Sequence, residues 1–321
     1  MVDYQLKKIS IKDIDINNCL FRITNDMDID EICDSIAAFG LINPPILKNE
    51  KLNYTIISGF KRIISCKRLG YDSVNCLIIE NEDLSLCHKI AILDNSNNRK
   101  LTFLEMVNCI HNIKEYYTDN KALSYELSKL LHIENGNELI SKFLKIINLP
   151  NEILDLIDKG HVSFSIGYEL SDYNATEILM IGNIFGKLKL PSNFQKDIFN
   201  LMIEIKMKEK KRFQDILEEV VNFIGANVDT PKHMNKIYKI LKNYLLARRF
   251  PEITQYQKKI EKKIELVSLG EKYKLNNISN GDGDFFQFQL NFDSLYEFNK
   301  LAENIQKLRS DTKFNDLFAP I

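Results

Sequence analysis

One glycine does most to limit what this chain can become. Gly59 separates a β-branched run, NYTIIS, from an amphipathic stretch, FKRIISCKRLG, that ends at Gly70. β-Branched residues favour a strand, and apolar residues at three- and four-residue spacing favour a helix. The backbone must therefore pass from strand to helix at Gly59, where a residue without Cβ lets a ligand or a neighbouring segment approach closely. Free N–H groups at the start of such a helix attract anions, and Lys61 and Arg62 add charge beside them. Ser58-Gly59-Phe60-Lys61-Arg62 thus reads as a small phosphate-binding corner, or else as an ordinary surface turn.

The neighbouring segments build a small α/β layer around that corner. IKDIDI reads as a short strand. DMDIDEICDSIAAFG reads as a helix with Ile29, Ile32, Ile36 and Phe39 on one face, acidic residues in its first turns and Gly40 just past its end. INPPILK is a turn running into a strand, because proline fits neither a helix interior nor a central strand. VNCLIIE is one more strand. Together, residues 1–84 describe a small mixed sheet with helices packed on it.

Residues 85–225 are almost wholly helical, with breaks at NSNN, YTDN, IENGN, LPN, DKGHVS, SDYN and KLKLPSN. Short helices on short loops suit a bundle. KMKEKKRFQDILEEVVNFI reads as one helix bridging two domains, and ANVDTPKHMNK as a charged linker. Residues 235–321 form a third module: two basic helices meeting at Pro251, then YKLNNISNGDGDFFQFQLNF as two strands across an Asn/Gly/Asp turn, then a last helix. Phe286, Phe288, Leu290 and Phe292 alternate onto one face of that strand. The predicted fold class is α+β: a mixed-sheet N-terminal domain, an all-α middle domain and a small α+β C-terminal module.

Composition narrows the function classes. The chain is 45% hydrophobic and 27% charged, the balance of a soluble globular protein. The N-terminus MVDYQLKKISIKDID is not a signal peptide, and no apolar run approaches a membrane span, so a cytoplasmic protein without membrane contact is expected. A net charge of −1 argues against a basic coat, so any DNA contact must be a local patch. Cys19, Cys33, Cys66, Cys76, Cys87 and Cys109 include no CxxC pair and no histidine at zinc spacing, and read as small core residues.

The landmarks NNCLFR, SIAAFGLINPPIL, YTIISGFKR, CKRLGY and ILDNSNN, followed by LSYELSKLLHI and ISKFLKIINLPNEILDLIDKGHVSF, run in an order that resembles the ParB partition proteins over roughly residues 5–170. The resemblance implies a ParB/sulfiredoxin-like fold for residues 1–84, with a pocket for CTP and Mg²⁺ that switches a dimer between open and DNA-entrapping clamp states. The family's Gly-Glu-Arg-Arg signature falls on Gly59, Phe60, Lys61 and Arg62. Its acidic-Asn pair, which helps hold metal and triphosphate, falls on Asp94-Asn95, and a hard cation accepts that carboxylate. Its Gln-Pro-Arg box falls on Leu20, Phe21 and Arg22, so only the arginine is kept. The implied nucleotide-binding set is Arg22, Ser58, Gly59, Lys61, Arg62 and Asn95, with Asp94 and Asn95 at the metal. Leu20 stands where the family places a polar group near the reacting phosphate, so no catalytic residue is assigned and at most weak CTP hydrolysis is expected. Sulfiredoxin carries its catalytic cysteine where this chain has Phe60, and ParB-like nucleases use polar residues absent from this turn.

ALSYELSKLLHI and NELISKFLKIINL, across a glycine-containing turn, suit a helix-turn-helix over residues 85–225. Leu127, Leu130, Leu131, Ile140, Phe143, Leu144 and Ile147 would hold the pair together. At the groove-facing start the family tends to have Ser-Arg-Ser/Thr, whereas Gly136, Asn137 and Glu138 stand here. Asn137 could read an adenine edge, and Lys142 and Lys145 could contact the backbone. In the C-terminal module, Lys236, Lys239, Lys242, Arg248, Arg249, Lys258, Lys259, Lys262 and Lys263 form a basic band, read either as a solvated face or as sequence-independent DNA contact. The resemblance implies DNA as partner, a homodimer through the C-terminal module, and a ParA-type ATPase. The expected function is a nucleoid-associated partition protein; the alternative is a nucleotide-independent transcriptional or plasmid regulator on the same scaffold.

Overall fold

The structure, a computed structural model, describes residues 2–51, 53–80, 83–134, 136–227, 234–267, 272–277, 285–308 and 310–319. They divide into two compact units, the first running to Lys196 and the second starting at Asp197.

The first unit opens with a five-stranded mixed sheet: β1 (Gln5–Ser10), β2 (Ile14–Asp15), β3 (Ile46–Glu50), β4 (Asn53–Ser58) and β5 (Ser73–Ile79), in spatial order β1-β5-β3-β4-β2. β5 pairs antiparallel with β1 and parallel with β3; β4 pairs antiparallel with β3 and parallel with β2. Two helices, α1 (Asp30–Phe39) and α2 (Phe60–Arg68), pack on each other, and their core joins Ile36, Ile63 and Cys66 to Leu47, Ile56, Cys76 and Ile78 of the strands. Gly40 (φ +74°) and Gly70 (φ +79°) follow these helices in left-handed conformations that favour glycine.

Three local expectations change. IKDIDI is only a 3₁₀ turn, Ile11–Asp13, leading into the two-residue β2. The longer strand β1 precedes it and was hidden because an edge strand needs little apolar alternation; its first four residues are all exposed. Phe39, placed on the core face by periodicity, is 78% exposed, because the helix ends at that residue and the chain turns away at Gly40.

Helices α3 (Leu84–Asn98), α4 (Phe103–Lys114), α5 (Asn120–Leu130), α6 (Gly136–Ile146), α7 (Asn151–Asp158), α8 (Phe164–Leu170) and α9 (Ala175–Leu188) complete the first unit. Their starts follow local chemistry: Asp83 caps α3, Asp119 caps α5, and Thr102 with Glu105 forms a reciprocal capping box on α4. The NSNN segment does not interrupt α3, which runs through it to Asn98. Asn108 Nδ2 donates to the Ile23 carbonyl at 2.6 Å, which fastens α4 to the segment holding buried Phe21 and Ile23.

The expected bridging helix is two helices, α10 (Ser192–Glu209) and α11 (Phe213–Asn227). Lys210 lies between them at φ +52°, a left-handed residue that ends the first helix. In the second unit, α10 from Asp197 onward, α11 and α12 (Met234–Arg249) bury Ile198, Met202, Phe213, Leu217, Leu241 and Leu245. Pro251 opens α13 (Pro251–Leu266) at its first position, where its missing N–H costs nothing. Strands β6 (Tyr273–Asn277) and β7 (Phe286–Leu290) pair antiparallel, followed by α14 (Leu295–Leu308) and α15 (Thr312–Asn315). Val267, Leu275 and Leu317 form their core, with Phe286, Phe288 and Phe314 packed against it, while Phe292 is 52% exposed. The charged linker and the Asn/Gly/Asp turn lie largely outside the described residues.

Candidate functional site

The corner at Gly59 is built from three elements. β4 ends in Ser58, which is 2% exposed. Gly59 adopts φ +96°, ψ 28° as the cap of α2. A Cβ there would meet Pro45 Cβ at 2.9 Å and the Arg62 guanidinium at 3.0 Å, so the position needs glycine both for its conformation and for space. The first N–H groups of α2 therefore remain available beside a side-chain-free patch of backbone.

Arg62 organises the surroundings. Its Nη1 donates to the Asn43 carbonyl at 3.0 Å and the Pro44 carbonyl at 3.3 Å, and its Nη2 to Asp94 Oδ2 at 3.2 Å. The Ser58 hydroxyl donates to the same Asp94 oxygen. One carboxylate of α3 thus sits against the hydroxyl and the guanidinium, where an incoming anion would find its donors. Tyr4 also lies near: burial, and then the Asp94 carboxylate, push its phenol above the ordinary value.

Of the residues assigned from sequence, Ser58, Gly59, Arg62 and Asp94 converge. Lys61 turns to Asp26, its Nζ 2.8 Å from Oδ2, and holds that carboxyl below its usual range. Asn95 folds back on its own helix, donating to the Ala91 carbonyl at 2.8 Å. Arg22 is half-buried between Phe21 and Ile23, and among the described residues it makes no hydrogen bond to the Ser58–Asp94 group. Leu20 is 46% exposed. Tyr4 and the Asn43 and Pro44 carbonyls were missed, since nothing local in the sequence marks a carbonyl that a distant arginine will use.

The donor set suits a phosphate chain with a hard cation. No group of three or more His, Cys, Asp or Glu side chains that could hold a metal occurs among the described residues, so a cation held at Asp94 would draw other ligands from phosphate oxygens or water. The buried thiols carry no chemistry here: burial pushes Cys76 up to about 12 and Cys87 up to about 11, and raises Cys109 further.

The helix pair α5–α6 packs through buried Leu127, Ile140, Phe143 and Ile147, while Leu130, Leu131 and Leu144 are half-buried. The left-handed turn residue is His132 (φ +53°) and not a glycine. Gly136 instead begins α6, pressed so closely on α5 that a Cβ would lie 2.8 Å from Ser128 Cβ. Asn137 is exposed in the first turn of α6. Lys142 pairs with Glu138 at 2.6 Å, and Lys145 with Asp172 at 3.3 Å while lying over the Tyr168 ring. Exposed pairs of this kind are worth little, so either lysine can turn to a phosphate at small cost.

The basic band is largely spoken for. Arg248 is held by Glu209 and Glu219, Arg249 by Glu204, Lys242 by Asp197, and Lys263 by the Asp316 and Ala319 carbonyls. Lys236, Lys239, Lys258, Lys259 and Lys262 are the exposed remainder. Among the described residues, no helix is long and apolar enough to cross a membrane.

Residues 2–96 match the family model described as ParB N-terminal domain. A probable chromosome-partitioning protein ParB of Campylobacter jejuni is 25% identical over 231 residues, covering 67% of this chain and 78% of that protein. The stage 0 sporulation protein J of Bacillus subtilis is 25% identical over 222 residues, covering 66% and 76%. Among solved structures, a C-terminally truncated ParB from Caulobacter crescentus complexed to the centromeric parS site has 14% identity and a TM-score of 0.40, covering 59% of this chain and 96% of that one. The chain is ParB-like, and its match to the ParB N-terminal domain spans residues 2–96.

Proposed function

We propose that this chain is a DNA-binding chromosome-partition protein whose Gly59 corner takes CTP with Mg²⁺. The observation that carries this reading is the convergence of Ser58, Arg62 and Asp94 on the side-chain-free backbone of Gly59. Within the first compact unit, residues 1–84 form the nucleotide-pocket domain and the helices from residue 85 to Lys196 the helix-turn-helix domain, while the second unit, from Asp197, supplies the dimerisation module. Arg62 and the first N–H groups of α2 bind the triphosphate, assisted by Ser58 once Asp94 turns from it to the cation. The magnesium ion, when bound, neutralises phosphate charge. Arg22, Lys61 and Asn95 join this site only after rotating from their present positions, and Leu20 offers no polar group for water activation, so hydrolysis is weak or absent. Asn137 faces base edges in the major groove, while Lys142 and Lys145 contact phosphates. The protein works on the nucleoid as a homodimer with a ParA-type ATPase.

Calorimetry with CTP and Mg²⁺ tests the corner: saturable heat is expected, lost in Arg62→Ala. No heat with any nucleotide would sink the switch. It would favour the second reading, a nucleotide-independent regulator, for which one observation speaks: Asp94 and Asp26 already satisfy Arg62 and Lys61.

A further inference from the structure

Lys61 stands beside Arg62 in the first turn of α2, yet its ammonium is turned to Asp26, and the aspartate is fixed in place to receive it. The Asp28 N–H donates to Asp26 Oδ1 at 3.0 Å, which leaves Oδ2 facing Lys61 Nζ at 2.8 Å. The same turn repeats one step on, with Asp30 N–H donating to Asp28 Oδ1 at 3.2 Å, and Arg68 Nη1 donates to Asp30 Oδ1 at 2.6 Å. On the other side, Asn108 Nδ2 donates to the Ile23 carbonyl at 2.6 Å. Asp26 is thus carried on a strap, residues 23–30, tied to α4 at one end and to α2 at the other. Arg99 also acts on Asp26, but both its terminal nitrogens are bound to Glu105 at 2.6 Å.

An ordinary exposed ion pair gains little, because two long side chains must be held still to make it. Here one partner is already held before Lys61 arrives. The bond from Lys61, then that from the Asp28 N–H, keep the Asp26 carboxyl below its usual range, so it is ionised at neutral pH. Each cation of the corner therefore has a carboxylate of its own chain: Asp26 for Lys61 and Asp94 for Arg62. The side chains are electrically balanced, and the N–H groups opening α2 are left as the positive end. Between two ligands that differ only in charge, the choice is set by the net charge of the site. A balanced corner gives a bare polyanion no advantage over one whose charge is partly cancelled by a bound cation.

We infer that Asp26 is a specificity-determining counter-anion: by holding Lys61 on the strap it keeps the corner balanced, so that a metal-complexed triphosphate is accepted and the bare polyanion is refused. This role rests on the proposed nucleotide site. Asp26 acts through Lys61 and touches no ligand itself. Without Asp26, Lys61 swings to the corner, the site gains one positive charge, and free nucleotide benefits most. Without Lys61 as well, the balance returns.

Calorimetry on the full chain at low salt tests this, with CTP titrated in excess Mg²⁺ and again in EDTA. The Asp26 side chain is 71% exposed, so Asp26→Asn leaves the core untouched. One unit charge among neighbouring side chains in water changes the binding of another roughly two- to fivefold. Free CTP carries two more negative charges than its magnesium complex. In Asp26→Asn the gain for free CTP should therefore be at least about fourfold the gain for the complex, shrinking as salt is added. Lys61→Met should shift both affinities the opposite way. The double variant should return within about twofold of the parent in both titrations, the mark of two residues acting as a pair. An unchanged ratio of the two affinities in Asp26→Asn overturns the counter-anion while leaving the nucleotide site standing. So does a double variant that keeps the full effect of either single change. No CTP binding by the parent or any variant, with or without Mg²⁺, defeats the nucleotide site and the counter-anion with it.

Discussion

Replacing Gly59 with alanine tests the geometry of the corner most directly, because two separable penalties meet there. The first is conformational: at φ +96° an L-residue in the left-handed region costs about 1–2 kcal/mol. The second is steric. The new Cβ would lie 2.9 Å from Pro45 Cβ, an atom of a ring that cannot swing aside, and 3.0 Å from the Arg62 guanidinium. Forced overlap in a packed site adds about 1–3 kcal/mol. Together they amount to roughly 2–5 kcal/mol, which lowers the melting temperature of a unit this size by roughly 4–20 °C. Arg62 should yield before Pro45, so CTP affinity should fall by more than the stability loss alone explains. Thermal melts followed by circular dichroism, with calorimetry on the folded variant, read both effects. Gly59→Asn separates them, since asparagine tolerates the left-handed region but keeps the Cβ; it should recover the conformational part alone. An alanine variant melting within a degree of the parent would refute the steric and conformational argument together.

Further predictions concern groups remote from the corner. Gln195, 1% exposed, donates to the His161 and Leu190 carbonyls at 3.0 and 2.7 Å and accepts from Ser163 N–H at 2.9 Å. Gln195→Leu leaves three backbone groups without this partner and should cost about 2–5 kcal/mol, measured by urea unfolding of the first unit. Burial pushes the Glu105 carboxyl up, but bonds from Arg99 and Thr102 outweigh it and hold the group below its ordinary value. A lowered folded value means that its stabilisation is complete above the unfolded carboxyl range and is lost as pH falls through the folded one. The melting difference between parent and Glu105→Gln should therefore be widest near neutrality and narrow below about pH 4.5. Glu209 is lowered to about 2 by its bonds with Arg248, against the opposing effect of burial. By the same sign, its contribution to the second unit should fade from about pH 4.5 down toward 2, and Arg248→Met should abolish that part of the acid dependence.

Much of the site was legible because its key residue advertises itself: the passage from NYTIIS to FKRIIS leaves the chain little choice at Gly59, and the structure gives that glycine φ +96°. The meeting of Asp94 with Ser58 was not legible, since it depends on where α3 packs along β4. Residue type suggested Lys61 as a phosphate ligand, yet Asp26 claims it; sequence reports a charge but not its nearest opposite charge in space. The basic band of α12 and α13 shows the same limit, with Arg248 enclosed by glutamates from α10 and α11. Helical periodicity located the α5–α6 pair, but the eye for glycine misplaced its turn, where His132 takes the left-handed conformation.

The strand order of the first unit sets a timetable for synthesis. Among the described residues β1 pairs with β5 alone, with Gln5 opposite Ile78, so this strand stays unpaired until nearly the whole sheet domain has been made. The α5–α6 pair depends instead on neighbours close in sequence and can form as it emerges. Closing that sheet edge waits on a contact of long sequence separation, and truncations that remove β1 should leave β5 as an open, sticky edge.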